Sequence, residues 1–271
     1  MKIYHTACPR NCYSTCSLDV HVDDNRIVRI EGNQANPSSP KWGCLRGFSY
    51  TERQVSENRI RVPHLKSGKG GQFKPVSWET AFSIMVDKLS DYKERYGAQS
   101  IFYFAGSGTK GLLNAVGRSF WRLYGGFTST YGDLCWPAGL EATRLTLGKN
   151  IHSHPRDLEN SKLILLWGKN PAETNIHQMN SIYRAVEKGA NLIVVDPRRT
   201  MSSGMASLLV QPRPGTDGAL ALGMAQHLLA TGNIDESFIT KHTLGFKRFA
   251  ETLAAFTPEH TAAITGVEAA T

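Results

Sequence analysis

Polar and apolar residues alternate in two short runs near the start of the chain, residues 17–22 and 26–31, joined by Asp23-Asp24-Asn25. The pattern predicts a β-hairpin with an Asp/Asn turn. Further on the period lengthens. Ala81, Ile84, Met85, Leu89 and Tyr92 recur at helical spacing behind Ser77, a good N-cap residue, and predict a helix with a core-facing stripe. Residues 101–105 read as a short buried strand, followed by a Gly-Ser-Gly loop and a helix over 112–124, with another helix over 140–147. Two continuous apolar runs, 162–167 and 191–196, flank a helical stretch over 177–188 that is closed by Gly189. Strands without alternation are buried on both faces, as in a parallel sheet, so this is a βαβ unit. Residues 208–210 read as a third strand, and 218–230 as the helix after it.

The predicted fold is therefore α/β. A small β-rich domain occupies about residues 1–60. An α/β segment over 61–150 and a nucleotide-binding-like α/β domain over 151–271 form an incomplete three-layer α/β/α body around a parallel sheet. The irregular, polar stretch 53–71 reads as the crossing between the small domain and that body.

The composition is that of a globular chain: 271 residues, 41% hydrophobic and 20% charged. Net charge is +8, but the basic residues are scattered, with no Lys/Arg block and no aromatic–basic alternation. That argues against nucleic acid and suits a polyanionic cofactor. No apolar run approaches the roughly 20 residues of a spanning helix, so no transmembrane segment is expected. The first eight residues hold neither an apolar signal core nor twin arginines, which points to the cytoplasm.

Five cysteines are present, in a pattern of four plus one. Cys8, Cys12 and Cys16 lie within nine residues, and Cys44 follows in Gly43-Cys44-Leu45-Arg46-Gly47. The predicted hairpin can carry the chain out and back so that Cys44 meets the triple. A 4Fe–4S cubane takes one thiolate at each of four corners, which this set supplies. Zinc and unrelated thiols remain alternatives, although structural zinc favours two separated pairs. Arg46 reads as a cation compensating cluster charge.

Cys135 stands in Tyr131-Gly132-Asp133-Leu134-Cys135-Trp136-Pro137, a tight loop ahead of a helix. It is either a thiolate ligand or a small buried apolar residue. Asp133 is either a proton carrier or a loop cap. Gly106 and Ser107 open either a plain turn or a loop of the kind in which anionic groups meet a helix start. The loop Gly168-Lys169-Asn170-Pro171-Ala172-Glu173-Thr174 follows one predicted strand, and Asp196-Pro197-Arg198 ends the next. Pro214-Gly215-Thr216-Asp217 follows the third. An acid at a strand end can bind ribose hydroxyls, but the Gly-x-Gly-x-x-Gly fingerprint is absent, which disfavours ordinary NAD binding.

In this order the segments resemble the dimethyl sulfoxide reductase family of molybdenum/tungsten bis-pterin-guanine-dinucleotide enzymes, over essentially the whole chain. The resemblance implies a 4Fe–4S cluster on Cys8, Cys12, Cys16 and Cys44, with Arg46 on the electron path to the pterin. It implies bis-molybdopterin guanine dinucleotide with Mo or W, and Cys135 as the metal's protein ligand. Gly168, Asn170, Glu173, Thr174, Asp196, Arg198, Gly215, Thr216 and Asp217 match dinucleotide-binding loops. The respiratory sulfoxide reductases carry Ser at the position of Cys135, and formate dehydrogenases place His where Trp136 stands, so the small-molecule substrate stays open. Family catalytic subunits are much longer. The resemblance thus implies either a shortened chain or a partner chain supplying further domains, together with an electron-transfer iron–sulfur subunit. A non-redox hydratase would share every motif, and a metal-binding module without activity is a third class.

Overall fold

The protein is described by a computed structural model covering residues 1–36, 41–106, 115–132 and 135–271. It divides into two compact units, Met1–His152 and Ser153–Thr271.

The first unit opens with an antiparallel sheet in the order β1 (Lys2–Ala7), β2 (Ser17–Asp23), β3 (Arg26–Gly32). The predicted hairpin is β2–β3, and Asp24 and Asn25 take the positive φ angles (43° and 62°) that a tight turn of matching twist needs. Leu18 and Ile30, with Cys16, are buried beneath the ring of Phe48. Two short helices follow, α1 (Leu45–Phe48) and α2 (Tyr50–Val55). From α2 the Gln54 carboxamide reaches the outer strand: Ile27 N–H donates to Gln54 Oε1 (3.2 Å) and Gln54 Nε2 donates to Ile27 C=O (3.4 Å).

The hairpin β4 (His64–Lys66) and β5 (Phe73–Pro75) precedes α3 (Trp78–Tyr96). Ser77 caps α3 as expected, accepting from Thr80 N–H at 3.1 Å. The expected core stripe does not form, because no residue of α3 is buried. Its Ile84 and Met85 line a groove of about 470 Å³ against Ile60, Val62 and Leu65. The strand expected over 101–105 is also absent: only Phe102 bridges, to Thr128, and Phe104 is exposed. With a single bridging residue no ladder develops. The later helices of this unit are α4 (Val116–Tyr124) and α5 (Pro137–Leu147). Aromatic contacts join Tyr103, Phe120, Trp121, Tyr124 and Phe127.

The second unit holds a parallel sheet in the order β6 (Leu163–Trp167), β7 (Asn191–Val195), β8 (Leu208–Val210). The βαβ crossover contains α6 (Pro171–Thr174) and α7 (Gln178–Glu187). Strand parity assigns the faces. Ile164, Leu166, Leu192 and Val194 pack with Met179, Ile182 and Ala185 of α7. Residues of the other parity, Trp167, Ile193 and Val195, join Val210 and Leu220 of α8 (Asp217–Ala230). Helices thus lie on both faces of the sheet, but Leu163 and Leu165 stay exposed, so the α8 face is only partly covered. The chain continues through α9 (Glu236–His242), α10 (Phe246–Leu253) and α11 (Pro258–Thr265), the last packed on α8. Their contact is close: a Cβ added at Gly223 would stand 2.8 Å from Thr261 Cβ.

Among the described residues no helix is long and apolar enough to cross a membrane.

Candidate functional site

The ends of β1 and β2 bring Cys8 opposite Cys16. Just past the last ladder pair, Ala7 and Ser17, Cys8 N–H donates to Cys16 C=O at 2.7 Å. Cys12 sits in the turn between them, its carbonyl accepting from Thr15 N–H at 3.2 Å. Cys44 is the N-cap of α1, and its carbonyl accepts from Gly47 and Phe48 N–H at 2.9 and 3.1 Å.

Two close approaches join α1 to the triple. A Cβ on Gly32, at the end of β3, would lie 2.5 Å from Gly43 N and Lys41 O, so the segment carrying Cys44 rests directly on that glycine. A Cβ on Gly47 would lie 3.9 Å from Cys8 Sγ, so the first thiol faces the backbone of α1.

The thiols also feel one another. The Cys16 thiol is pushed up to about 11, first by burial and then by the charges of Cys8, Cys12 and Cys44. Four anionic sulfurs gathered without a cation repel, and a cationic iron core is what would relieve them. Among the described residues no three His, Cys, Asp or Glu side chains converge closely enough to hold a single metal ion. A cubane asks for something wider, one thiolate at each separate iron. The donor set fits the cluster.

Arg46 is half-buried on α1, two residues past Cys44. Cys135 is exposed, directly before Trp136, the N-cap of α5. Gly106 is exposed with open space where a Cβ would stand. Asp133 and Ser107 lie outside the described residues.

In the second unit the strand-end loops share one edge of the parallel sheet. Gly168 N–H donates to Val195 C=O (2.8 Å) and Asp196 N–H to Val210 C=O (3.1 Å), so the three strands end in step. Asp196 Oδ1 accepts from Arg198 N–H at 2.8 Å, which holds that carboxylate in a tight turn. Trp167 Nε1 donates to Asp217 Oδ1 at 2.8 Å. Thr174 Oγ1 donates to Asn170 C=O, and Thr216 Oγ1 to Arg213 C=O. Glu173 and Gly215 lie exposed in the same loops.

Three residues that the sequence reading passed over belong to this edge or to the helix behind it. Ser202, fully buried, accepts from Ala172 N–H (3.0 Å) and donates to Asn170 Oδ1 (2.6 Å). Among the described residues, the Oγ1 of buried Thr200 and the Nε2 of His177 have no hydrogen-bond partner. Burial alone lowers the His177 pKa. A lone Ser, Thr or His carries no spacing signal, so only the fold reveals them.

A thiol-bearing antiparallel domain, with acids and glycines at the strand ends of a separate parallel sheet, offers the donors that an iron–sulfur protein with a polyanionic cofactor would use. Residues 59–267 match the molybdopterin oxidoreductase family and residues 1–56 its Fe4S4 domain. The chain belongs to the molybdopterin oxidoreductase family, whose cofactors are a molybdenum- or tungsten-bound pterin and a 4Fe–4S cluster. The resemblance to the dimethyl sulfoxide reductase branch is carried by relatives as well. The chain is 33% identical over 252 residues to the "Probable oxidoreductase YyaE" of Bacillus subtilis, covering 93% of this chain and 38% of that protein. It is 31% identical to the dimethyl sulfoxide reductase DmsA of Escherichia coli, covering 96% of this chain and 34% of that one. Acetylene hydratase from Pelobacter acetylenicus has a similar solved structure, with a TM-score of 0.75 and 26% identity over 98% of this chain and 37% of that one. The chain thus spans less than two fifths of the length of these relatives.

Proposed function

We propose that this chain is the cluster- and dinucleotide-bearing part of a catalytic subunit that moves electrons between a Mo or W centre and a 4Fe–4S cluster. Cys8, Cys12, Cys16 and Cys44 hold the cluster. Cys135, exposed just ahead of α5, is the protein ligand of the Mo or W. The strand-end loops around Asn170, Asp196 and Asp217 bind the dinucleotide, with Gly168, Glu173, Thr174, Arg198, Gly215 and Thr216 about it; Gly106 and Ser107 also bind the cofactor, and Asp133 carries protons. When bound, the cofactors supply one-electron transfer and the chemistry on a small-molecule substrate. The chain's own residues fix ligands, and Arg46 sets a positive charge beside the cluster thiolates. A separate iron–sulfur subunit exchanges the electrons, a partner chain or further domains complete the pterin site, and the cytoplasm keeps the thiols reduced.

The observation that carries this reading is the meeting of Cys8 with Cys16 across the strand ends and with α1 behind Cys44. Anaerobically prepared protein should contain about four irons and four sulfides per chain. Ala at any of the four cysteines should lose or convert the cluster, Cys135→Ala should leave it intact, and Arg46→Met should slow electron transfer with iron content unchanged. Stoichiometric zinc without broad visible absorption overturns the assignment. A second reading, a hydratase without net redox change, is favoured by the likeness to acetylene hydratase. Turnover of the whole enzyme without any electron acceptor would decide for it.

A further inference from the structure

The loops after β6 and β7 are tied by one buried hydroxyl. Ser202 Oγ accepts from the backbone N–H of Ala172 at 3.0 Å, a donor that cannot be reversed. Its own proton must then find an acceptor, and the partner at 2.6 Å is the side chain of Asn170. A hydroxyl carries one proton, whereas an amide offers either an oxygen or an NH2 group. Were the amide turned over, the Ser202 proton would be sealed in the interior with nothing to accept it, because the side chain has no solvent contact. The oxygen of Asn170 therefore faces Ser202. Its NH2 faces the other way, and no hydrogen bond to it is seen among the described residues. Asn170 itself is half-buried at the edge of the sheet.

We propose that Ser202 is a positioning residue that locks the Asn170 carboxamide with its NH2 turned outward, so that Asn170 donates to an acceptor oxygen of the bound nucleotide. This rests on the assignment of the strand-end loops to a dinucleotide. It adds a direction to it: the loop offers a donor, not an acceptor, at this position. A phosphate oxygen or a base carbonyl would satisfy the same donor. The lock also gives a fully buried polar hydroxyl two hydrogen-bond partners.

The test is titration of the chain with GDP, inorganic pyrophosphate and guanosine, alongside thermal unfolding. Ser202→Ala should weaken GDP binding about tenfold, the loss expected when one oriented hydrogen bond goes. Asn170→Ala should weaken it by a similar factor, and the double variant should be no weaker than Asn170→Ala alone, since Ser202 acts only through Asn170. Ser202→Thr, which keeps the hydroxyl, should restore affinity. Asn170→Asp keeps an acceptor for Ser202 but removes the outward donor, so it should bind GDP no better than Asn170→Ala. Whichever of pyrophosphate and guanosine shows the same losses identifies the oxygen. A lower unfolding temperature is expected either way, because the Ala172 N–H loses its acceptor. A merely structural Ser202 would instead give additive losses of GDP affinity in the double variant, and that result overturns the inference. So does an Asn170→Asp protein that binds GDP as the wild type does. If the wild-type chain takes up no GDP, the dinucleotide assignment falls first and this inference with it.

Discussion

The indole N–H of Trp167 donates to the carboxylate of Asp217 at 2.8 Å, tying the last residue of β6 to the first of α8 across fifty positions of sequence. Asp217 also sits where a helix favours negative charge. Trp167→Phe keeps a ring but deletes the donor. It should destabilise the chain by about 1 kcal/mol, read by chemical unfolding, and should free the carboxylate to turn. Unchanged stability would mean that the bond contributes nothing.

Gly32→Ala tests how Cys44 reaches the other thiols. Its Cβ would stand 2.5 Å from backbone atoms of Lys41 and Gly43, which no side-chain rotation relieves. The segment before Cys44 must move. Iron content should fall well below that of the wild type, although all four cysteines remain. Full cluster occupancy in the variant would show that Cys44 tolerates the displacement.

Gly223→Ala sets two effects against each other. Alanine favours a helix interior over glycine by about 1 kcal/mol. Against that, the new Cβ would lie 2.8 Å from Thr261 Cβ and 2.6 Å from its Cγ2. The overlap with a Cβ is fixed by the backbones, so α8 and α11 must separate, at a cost of about 1–3 kcal/mol. Net destabilisation is expected in thermal unfolding. A stabilised variant would mean that the helices part freely.

His177 predicts a pH dependence. Burial lowers its pKa below the ordinary 6.5, so the neutral ring is the folded form. Between the lowered folded value and about 6.5 the unfolded chain binds more protons than the folded one, and stability rises with pH there. The contribution is fully present above about 6.5 and is lost as the pH falls below it. His177→Leu should flatten that acid limb in unfolding measured at several pH values. An identical limb in the variant would assign it to other groups.

The parts most legible in the sequence were those governed by local pattern. The turn at Asp24 and Asn25, the cap at Ser77 and the strands of the parallel sheet each follow from residues adjacent in the chain. What stayed hidden depends on partners. The strand β1 has every residue exposed, so it offers no buried face to read, and its place comes from backbone pairing with β2. The stripe of α3 has the right period yet meets only a groove, because periodicity reports a face and not what covers it. Residues 101–105 have the apolar content of a strand but only one bridging residue. In the candidate site the four cysteines announced themselves by spacing. Ser202 and the Trp167–Asp217 bond could not, since each joins residues 30 or more positions apart.

The amide of Gln54 gives the small sheet a further property. An outer strand shows a row of unpaired N–H and C=O groups, onto which a strand of another molecule can add. At Ile27 both groups are already taken by a single side chain, which imitates the peptide of a neighbouring strand and then ends. The sheet that carries Cys8 and Cys16 at its strand ends is thereby capped at that point on the β3 side, and a foreign strand approaching there finds no free donor or acceptor at Ile27 from which to start a ladder.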